Sequence, residues 1–289
     1  MTYATNLPQS SSRPFAGRWT YAVLVLALLF VLMPFLFWRA TWFGRPLTDE
    51  QLEKAFDDSG HPREMQRALS QVVDRMGRGD PAVRRWYPKV IELSGSRINE
   101  IRVTAAWVMG QDNTVPAFHR ALADLLSDTH PMVARNAALS LVRFGDDSGR
   151  PLILSMLRPY SFPSSDSGTL RTRLKPGDVV NPGTLVAHIE VQGQRREVRS
   201  TVPGTIDRWE VADGAPISAG QPLVLLDPSQ EMVWEALRAL FLVGRSEDLP
   251  AINPYVRGAD GMSPQIQQQA NATVRAIRSR TASPSSDPR

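Results

Sequence analysis

Four similar apolar segments recur along the chain, and their spacing constrains its fold more than any other feature. In each segment, apolar residues return every three or four positions, which predicts a helix with one buried face. The segments are Met65 to Gly77, Ile101 to Ala106, Val133 to Gly145 and Met232 to Gly244. Their first residues lie 36, 32 and 99 positions apart. The first two separations match one helix pair, so the sequence predicts a stack of helical hairpins with an insertion before the fourth segment.

Turn-forming residues separate the apolar segments. Three segments end at a glycine, which can adopt the left-handed conformation that terminates a helix. These glycines are Gly77, Gly145 and Gly244. Prolines follow and can open the next helix, because the first turn of a helix does not need their missing N–H. These prolines are Pro81, Pro116, Pro151 and Pro250.

These units resemble HEAT repeats. The resemblance is strongest at residues 133–138 (VARNAA) and at the FGD sequence of residues 144–146. It covers about 60–158 and 229–280, and ordinary helical hairpins are the alternative interpretation. The resemblance implies a HEAT-like solenoid over 48–158 that resumes over 229–280, with a concave surface suited to a protein partner.

The insertion before the fourth segment has β character. One repeat of about 34 residues accounts for part of the separation of 99 and leaves about 65 residues for the insertion. A Pro/Ser-rich stretch at 159–168 precedes short apolar runs bounded by turn residues at 168–227, which predicts β-strands. The decapeptide at 174–183 matches the one at 211–220, which predicts two similar sheets that face each other.

The inserted region resembles a biotinyl/lipoyl domain and the lipoyl part of membrane-fusion, or periplasmic adaptor, proteins. Residues 202–206 (VPGTI) and 214–223 (GAPISAGQPL) carry the resemblance. It implies a small all-β domain at 167–228, folded as a flattened barrel of the barrel-sandwich type. In that family the turn between the two halves carries the lysine that receives the cofactor. The equivalent position here is about Gly193, so the resemblance implies a lipoyl-like domain without a covalent cofactor.

The turn between the two halves is also the candidate interaction site. It comprises Gln192, Gly193, Gln194, Arg195, Arg196 and Arg199. These arginines either belong to a solvated strand edge or contact an acidic partner or phospholipid headgroups.

An uncharged apolar run at 19–38 predicts a transmembrane helix that follows an N-terminal tail at 1–18. Twenty helical residues extend about 30 Å, the thickness of a hydrocarbon core. Arg18 and Arg39 flank the run, and aromatic residues cluster at its ends. A cleaved signal peptide is the alternative, but the run is long and ends in bulky residues. We therefore expect a single-pass inner-membrane protein with its C-terminal domain in the periplasm and with lipid contacts through 19–38.

The sequence lacks the motifs of several classes of function. Cysteine is absent, and the histidines do not have the spacing of a metal site, so we expect neither a metal nor a cofactor. The net charge of +4 is spread along the chain, which is atypical of nucleic-acid binding. No nucleotide-binding or nucleophile motif appears, so we expect no enzymatic activity and no catalytic residues.

The predicted fold class is multi-domain α + β: a transmembrane helix, a HEAT-like α-solenoid and an inserted barrel-sandwich domain. Residues 281–289 are Ser/Pro-rich and predicted to be disordered. We expect a membrane-anchored interaction scaffold or accessory subunit that binds other membrane or envelope proteins. The alternative is a periplasmic adaptor of a transport or efflux system.

Overall fold

The computed structural model describes residues 19–42, 46–58 and 60–282. The chain divides into two compact units, Met1–Gln51 and Leu52–Arg289. The predictions for the N-terminal tail at 1–18 and for residues 283–289 of the C-terminal tail lie outside the described residues.

The first unit contains helix α1 (Trp19–Trp42) and the start of helix α2 (Asp49–Asp57). The large apolar side chains described in α1 are exposed, and Pro34 lies inside the helix. Thr48 and Gln51 cap α2 reciprocally: the Gln51 N–H donates to Thr48 Oγ1 at 3.3 Å, and the Thr48 N–H donates to Gln51 Oε1 at 3.0 Å. This capping box explains why the helix begins at residue 49.

The structure corrects the membrane prediction. Crossing a hydrocarbon core takes about 20 successive, mostly apolar helical residues. Within the part of the chain that the structure describes, no helix combines sufficient length with sufficient apolar character. The predictions of a transmembrane helix at 19–38, of a single-pass inner-membrane location and of a periplasmic C-terminal domain are therefore wrong. The expected lipid contact of residues 19–38 rested on the same span.

Helices form most of the second unit. After α2 they are α3 (Pro62–Gly77), α4 (Tyr87–Leu93), α5 (Asn99–Met109), α6 (Pro116–Leu125), α7 (Pro131–Val142), α8 (Arg150–Ser155), α9 (Gln230–Val243), α10 (Leu249–Val256) and α11 (Pro264–Ala282), with 3₁₀ helices at Pro81–Trp86 and Ser246–Asp248. Four of the α-helices begin at a proline, whose fixed φ suits the first helical position. The chain therefore encodes several helix starts locally.

Only one of the three predicted glycine caps is left-handed. Gly145 has a φ of 75°, whereas α3 is followed by Gly79, with a φ of 69°, rather than capped by Gly77. Gly244 is extended, with a φ of −65° and a ψ of 150°. A Cβ at Gly244 would lie 2.4 Å from the Leu240 carbonyl oxygen and 2.8 Å from Ile277 Cδ1. Close packing, and not a left-handed turn, requires glycine there.

Alternate helices pack side by side in the order α3, α5, α7, α9 and α11. The Ser140 hydroxyl on α7 donates to the Ala106 carbonyl on α5 at 2.8 Å. Gly110 follows α5 and lies so close to Ser140 that a Cβ there would meet its Oγ at 2.4 Å. Small residues therefore set the short distance between these two helices.

The helical stack continues across the inserted β region. Tyr255 on α10 donates to the Leu157 carbonyl at 2.7 Å, and Arg150 forms an ion pair with Asp248 at 2.7 Å. Each of these contacts joins residues 98 positions apart. One apolar core contains Ala138 and Ile153 from before the insertion together with α9, α10 and α11 residues from after it.

Eight short strands form the inserted region. They are β1 (Tyr160–Pro163), β2 (Gly168–Thr172), β3 (Val179–Val180), β4 (Leu185–Val191), β5 (Gln194–Arg199), β6 (Gly204–Trp209), β7 (Pro216–Ile217) and β8 (Pro222–Pro228). They build two antiparallel sheets, with strand orders β1-β8-β6-β3 and β5-β4-β2-β7. Buried residues of both sheets, such as Ile189 and Ile206, share one core.

The two sheets correct the rest of the predicted fold class. No described strand of one sheet pairs with a strand of the other, so both sheets are open and the predicted flattened barrel is absent from this part of the chain. The chain is mixed α/β with two open antiparallel sheets. The predicted class, multi-domain α + β with a transmembrane helix and a barrel-sandwich domain, is wrong in these two respects.

The two sheets are built alike. β4 and β8 begin 37 residues apart, as do β3 and β7, and these pairs occupy equivalent places in the two strand orders. Gly183 and Gly220 are also 37 residues apart and have φ values of 87° and 81°. The repeated turn residues therefore impose the same local conformation on both halves.

Candidate interaction groove

The predicted interaction residues lie on a β-hairpin at the edge of a sheet. Gln192 and Gly193 form its two-residue turn, with φ values of 49° and 80°. A two-residue turn with both φ values positive matches the natural twist of a hairpin. Residues 194–199 form β5, which pairs only with β4 among the described strands.

The arginines of this hairpin are paired with carboxylates of the same chain. Arg196 forms an ion pair with Asp166, and Arg199 pairs with Glu197 at 2.8 Å. Arg195 lies 3.8 Å from Glu190, which also pairs with Arg171 at 3.2 Å. These contacts offset much of the positive charge on which the predicted contact with an acidic partner depends. That contact stays a prediction.

The structure brings together a larger surface that sequence reasoning missed. A groove of about 730 Å³ runs across α5, α7, α9 and α11. The side chains that matter most for its chemistry are Trp107, Leu139, Arg143, Arg238, Phe241 and Leu242. We call this surface the helical groove.

Exposed apolar side chains concentrate in the helical groove. In the described part of the second unit, the large apolar residues that remain exposed are Trp107, Val179, Phe241 and Leu242. Three of these four line the groove, with 42%, 40% and 58% of Trp107, Phe241 and Leu242 accessible to solvent. A concentrated apolar surface of this kind is typical of an interaction site.

The charged side chains of the helical groove differ in their pairing. Arg238 lies 3.6 Å from Glu235, one helical turn away. Arg143 instead donates to neutral acceptors, the Gly110 carbonyl at 3.1 Å and the Gln111 side-chain oxygen at 2.7 Å. Arg143 is exposed and, among the described residues, forms no ion pair. The groove therefore presents an uncompensated positive charge beside its apolar surface.

The other strongly interacting polar groups join helices rather than converge on a pocket. Arg102 binds Asp128 through two hydrogen bonds of 2.7 and 2.9 Å, and the pair is largely buried. The Tyr87 hydroxyl donates to Asp112 at 2.8 Å, and burial raises the pKa of Tyr87 to about 12. In the described ranges, no three His, Asp or Glu side chains are grouped so that they could hold a metal ion.

Comparison with known proteins does not show a family for this chain. No protein-family model matches it, and the search of curated proteins finds no match. It is similar to a solved structure of a single-chain, multi-domain long-chain acyl-CoA carboxylase, at 14% sequence identity over 43% of this chain and with a TM-score of 0.24. The match spans 14% of the length of that chain. A similarity with so low a TM-score supports no conclusion on fold or function.

Proposed function

We propose that this protein is a non-enzymatic scaffold that binds an amphipathic helix of a partner protein in the helical groove. The observation that carries the proposal is the concentration of Trp107, Phe241 and Leu242 on one surface of the helical stack. Aromatic side chains in a groove are the usual anchors of protein interfaces. An amphipathic helix fills such a groove with its apolar face.

The size of the helical groove suits a helix of ordinary length. Neighbouring packed helices lie roughly 8–10 Å apart, so four adjacent helices extend over about 24–30 Å. A bound helix rises about 1.5 Å per residue, and about 16–20 residues would cross the groove. That length allows four or five turns to place apolar residues against α5, α7 and α9.

The charge of the groove restricts the partner further. Among the described residues, the Arg143 guanidinium donates only to neutral acceptors, so a carboxylate at the edge of the bound helix would gain a charge-assisted hydrogen bond. We therefore infer an amphipathic helix with acidic residues flanking its apolar face. A basic helix would be repelled by Arg143.

The inserted sheets serve the scaffold as a second binding surface. In this proposal the β4–β5 hairpin makes a weaker contact with an acidic segment, because its arginines must first exchange their present carboxylate partners. The lipoyl-like resemblance remains part of the proposal. Glycine occupies residue 193, so we expect no biotin or lipoate on the purified protein.

The adaptor alternative gains no comparable support. Membrane-fusion proteins carry a long coiled-coil hairpin between their two lipoyl halves. Here the turn Gln192-Gly193 joins β4 directly to β5. The alternative therefore lacks a bridging element, and the scaffold is the function that we retain.

Site-specific photo-crosslinking tests the proposed occupant. We expect a photoreactive amino acid at Trp107 to capture one partner segment, which peptide mass spectrometry should identify as an amphipathic helix with acidic flanks. The same photoreactive residue at Val179, which is 70% exposed on β3, is the matched control. Capture of the same segments from both positions, or of a segment that cannot form an amphipathic helix, would contradict the proposal.

Charge substitutions then test the groove quantitatively. Leu242→Glu places a carboxylate in the apolar surface and should weaken binding of the identified helix at least about tenfold. Arg143→Glu should also weaken it, because the charge complementarity reverses. Val179→Glu should leave the affinity unchanged, and isothermal titration calorimetry provides the measurement. Equal affinity for all variants would rule out the groove as the binding site.

A further inference from the structure

Arg135 is buried in the second unit and has no anionic partner among the described residues. It lies on α7, and only 4% of its surface is accessible to solvent. No described carboxylate forms an ion pair with it. Arginine is almost never fully buried unless it is paired. This site therefore departs from the usual rule in a way that needs a physical explanation.

The contacts that Arg135 does make are weak. Its Nη1 lies 3.8 Å from Met232 Sδ on α9, and its Cζ lies 5.4 Å from the centre of the Tyr160 ring on β1. A thioether is a poor acceptor, and a guanidinium has five N–H donors. Contact with the Tyr160 ring is favourable, but it satisfies none of these donors with an oxygen acceptor.

In the described part of the chain, no carboxylate offsets the charge of Arg135. Met232 belongs to the first turn of α9, and its backbone N–H is capped by Ser229 Oγ at 3.3 Å. The amino-terminal end of a helix carries partial positive charge. Glu231 on the same turn is exposed and forms no ion pair with Arg135 in the described structure. Burial accordingly lowers the pKa of Arg135 from its ordinary value.

The guanidinium has further donors without an acceptor. Among the described residues, the Nε and Nη2 atoms of Arg135 have no hydrogen-bond acceptor, and Nη1 has only the Met232 sulfur. An oxygen-bearing anion would satisfy donors that the described residues leave unused.

We propose that Arg135 binds a small oxyanion, such as a phosphate or carboxylate group, where α7, α9 and β1 meet. The planar fork of a guanidinium matches two oxygens of such a group. The bound anion would supply the acceptors and the negative charge that the protein lacks at this position. Because β1 is the first strand of the inserted sheets and α9 follows their last strand, anion binding would also strengthen the joint between those sheets and the helices. This proposal does not depend on the helical groove.

Thermal unfolding with different sodium salts at constant ionic strength tests the proposal. We expect phosphate to raise the melting temperature of the full chain in a saturable way, whereas chloride at equal ionic strength has little effect. Sodium acetate distinguishes a carboxylate ligand from a phosphate ligand. Stabilisation by both acetate and phosphate indicates a site for either oxyanion, whereas stabilisation by phosphate alone indicates a phosphoryl ligand. No saturable response to either salt, or an equal response to chloride, would overturn the proposal.

Variants connect the response to the residue. Arg135→Met keeps a long apolar side chain and should bind phosphate at least about tenfold more weakly in calorimetry. Arg173→Met removes an exposed arginine of the inserted region and should keep the full response. Arg135→Lys retains the charge without the planar fork and should bind phosphate with intermediate affinity. It replaces Arg135→Met as the test if circular dichroism shows that Arg135→Met does not fold. Unchanged phosphate affinity in the folded Arg135 variants would overturn the proposal.

Discussion

At the scale of single residues, a few buried polar contacts hold neighbouring helices together. Arg102 on α5 reaches Asp128, which precedes α7, and also donates to the Ser96 carbonyl at 2.9 Å. Asp128 Oδ1 also accepts a hydrogen bond from the His130 N–H at 2.8 Å. The hydrogen bonds from Arg102 lower the pKa of Asp128. This pair is therefore expected to contribute to stability.

We expect Asp128→Asn to lower the free energy of unfolding by about 3 kcal/mol, because it leaves the largely buried Arg102 without a counter-charge. The wild-type contribution is present above the pKa of an unfolded aspartate, about 3.9, and is lost as the pH falls through the lower folded pKa. Urea unfolding at neutral and acidic pH measures both effects. The exposed pair Glu64–Arg67 supplies the control, and Glu64→Gln should lower the free energy of unfolding by less than about 1 kcal/mol. If Asp128→Asn lowered the free energy of unfolding no more than Glu64→Gln does, the Arg102–Asp128 pair would not have the stabilising role assigned to it.

The buried hydroxyl of Tyr255 should make the protein less stable at high pH. Burial raises its pKa to about 12, whereas an unfolded tyrosine ionises near pH 10. The unfolded chain therefore holds fewer protons between these values, and this contribution to stability falls as the pH rises. We expect it to fall by about 1 kcal/mol between pH 10 and 11, and Tyr255→Phe should lack this component. Parallel pH profiles for the two proteins in urea unfolding would refute the assignment.

At the scale of elements, the β4–β5 hairpin depends on its turn residues. Nothing lies within 4 Å of a Cβ built at Gly193, so the cost of a side chain there comes only from the left-handed backbone. We expect Gly193→Ala to lower the free energy of unfolding by about 1 kcal/mol. Gln192→Asn should act in the opposite direction, because Asn-Gly is the preferred pair for such turns. Thermal unfolding would contradict this if both variants changed stability with the same sign.

The helices show how an exposed surface can escape prediction. In α5 the small residues Ala105 and Ala106 are buried, while Trp107 beside them is exposed. In α9 the buried stripe includes Ala236 and Leu240, and Leu242 lies off that stripe. An apolar residue that lies off the buried stripe of its helix is the sequence signal for such a surface. Apolar content alone, however, does not distinguish a surface for a partner from a second packing face within the chain.

At the scale of the whole molecule, one apolar core of the helices is built without residues of the inserted sheets. The core that joins α7 and α8 to α9, α10 and α11 contains no residue from 160–228. Tyr160 and Leu226 are opposite partners in adjacent strands, which places their Cα atoms about 5 Å apart. The two ends of the inserted region are therefore close enough for a very short connection.

We expect the helical stack to fold without most of the insertion. Deleting residues 161–225 and joining Tyr160 to Leu226 through two glycines should preserve the helical circular dichroism and a single cooperative unfolding transition. Some stability will be lost, because Met132 and Tyr160 pack against the core of the sheets. Deletion of residues 65–129, which removes helices that contribute directly to the stack, is the control expected to fail. Loss of helical structure in the first variant would show that the sheets are needed for folding.

The sequence by itself determined much of the local structure. Helices α3, α5, α7 and α9 contain most of the four apolar segments. The hairpin turns at Gln192-Gly193, and the two halves of the inserted region repeat after 37 residues. These features depend on side-chain period, on the fixed φ of proline and on the freedom of glycine, all of which act over a few residues. They could be predicted because no distant partner is needed to establish them.

Only the tertiary structure decided which surfaces meet. Trp107 directly follows the second apolar segment and Phe241 lies in the fourth, yet the stacking of α5, α7 and α9 places them in one groove. Tertiary packing also buries Arg135, and strand pairing leaves the two sheets open; neither outcome can be read from neighbouring residues in the sequence. Exposure, pairing and sheet closure depend on residues that are distant along the chain, and periodicity cannot specify which faces of several amphipathic elements come together.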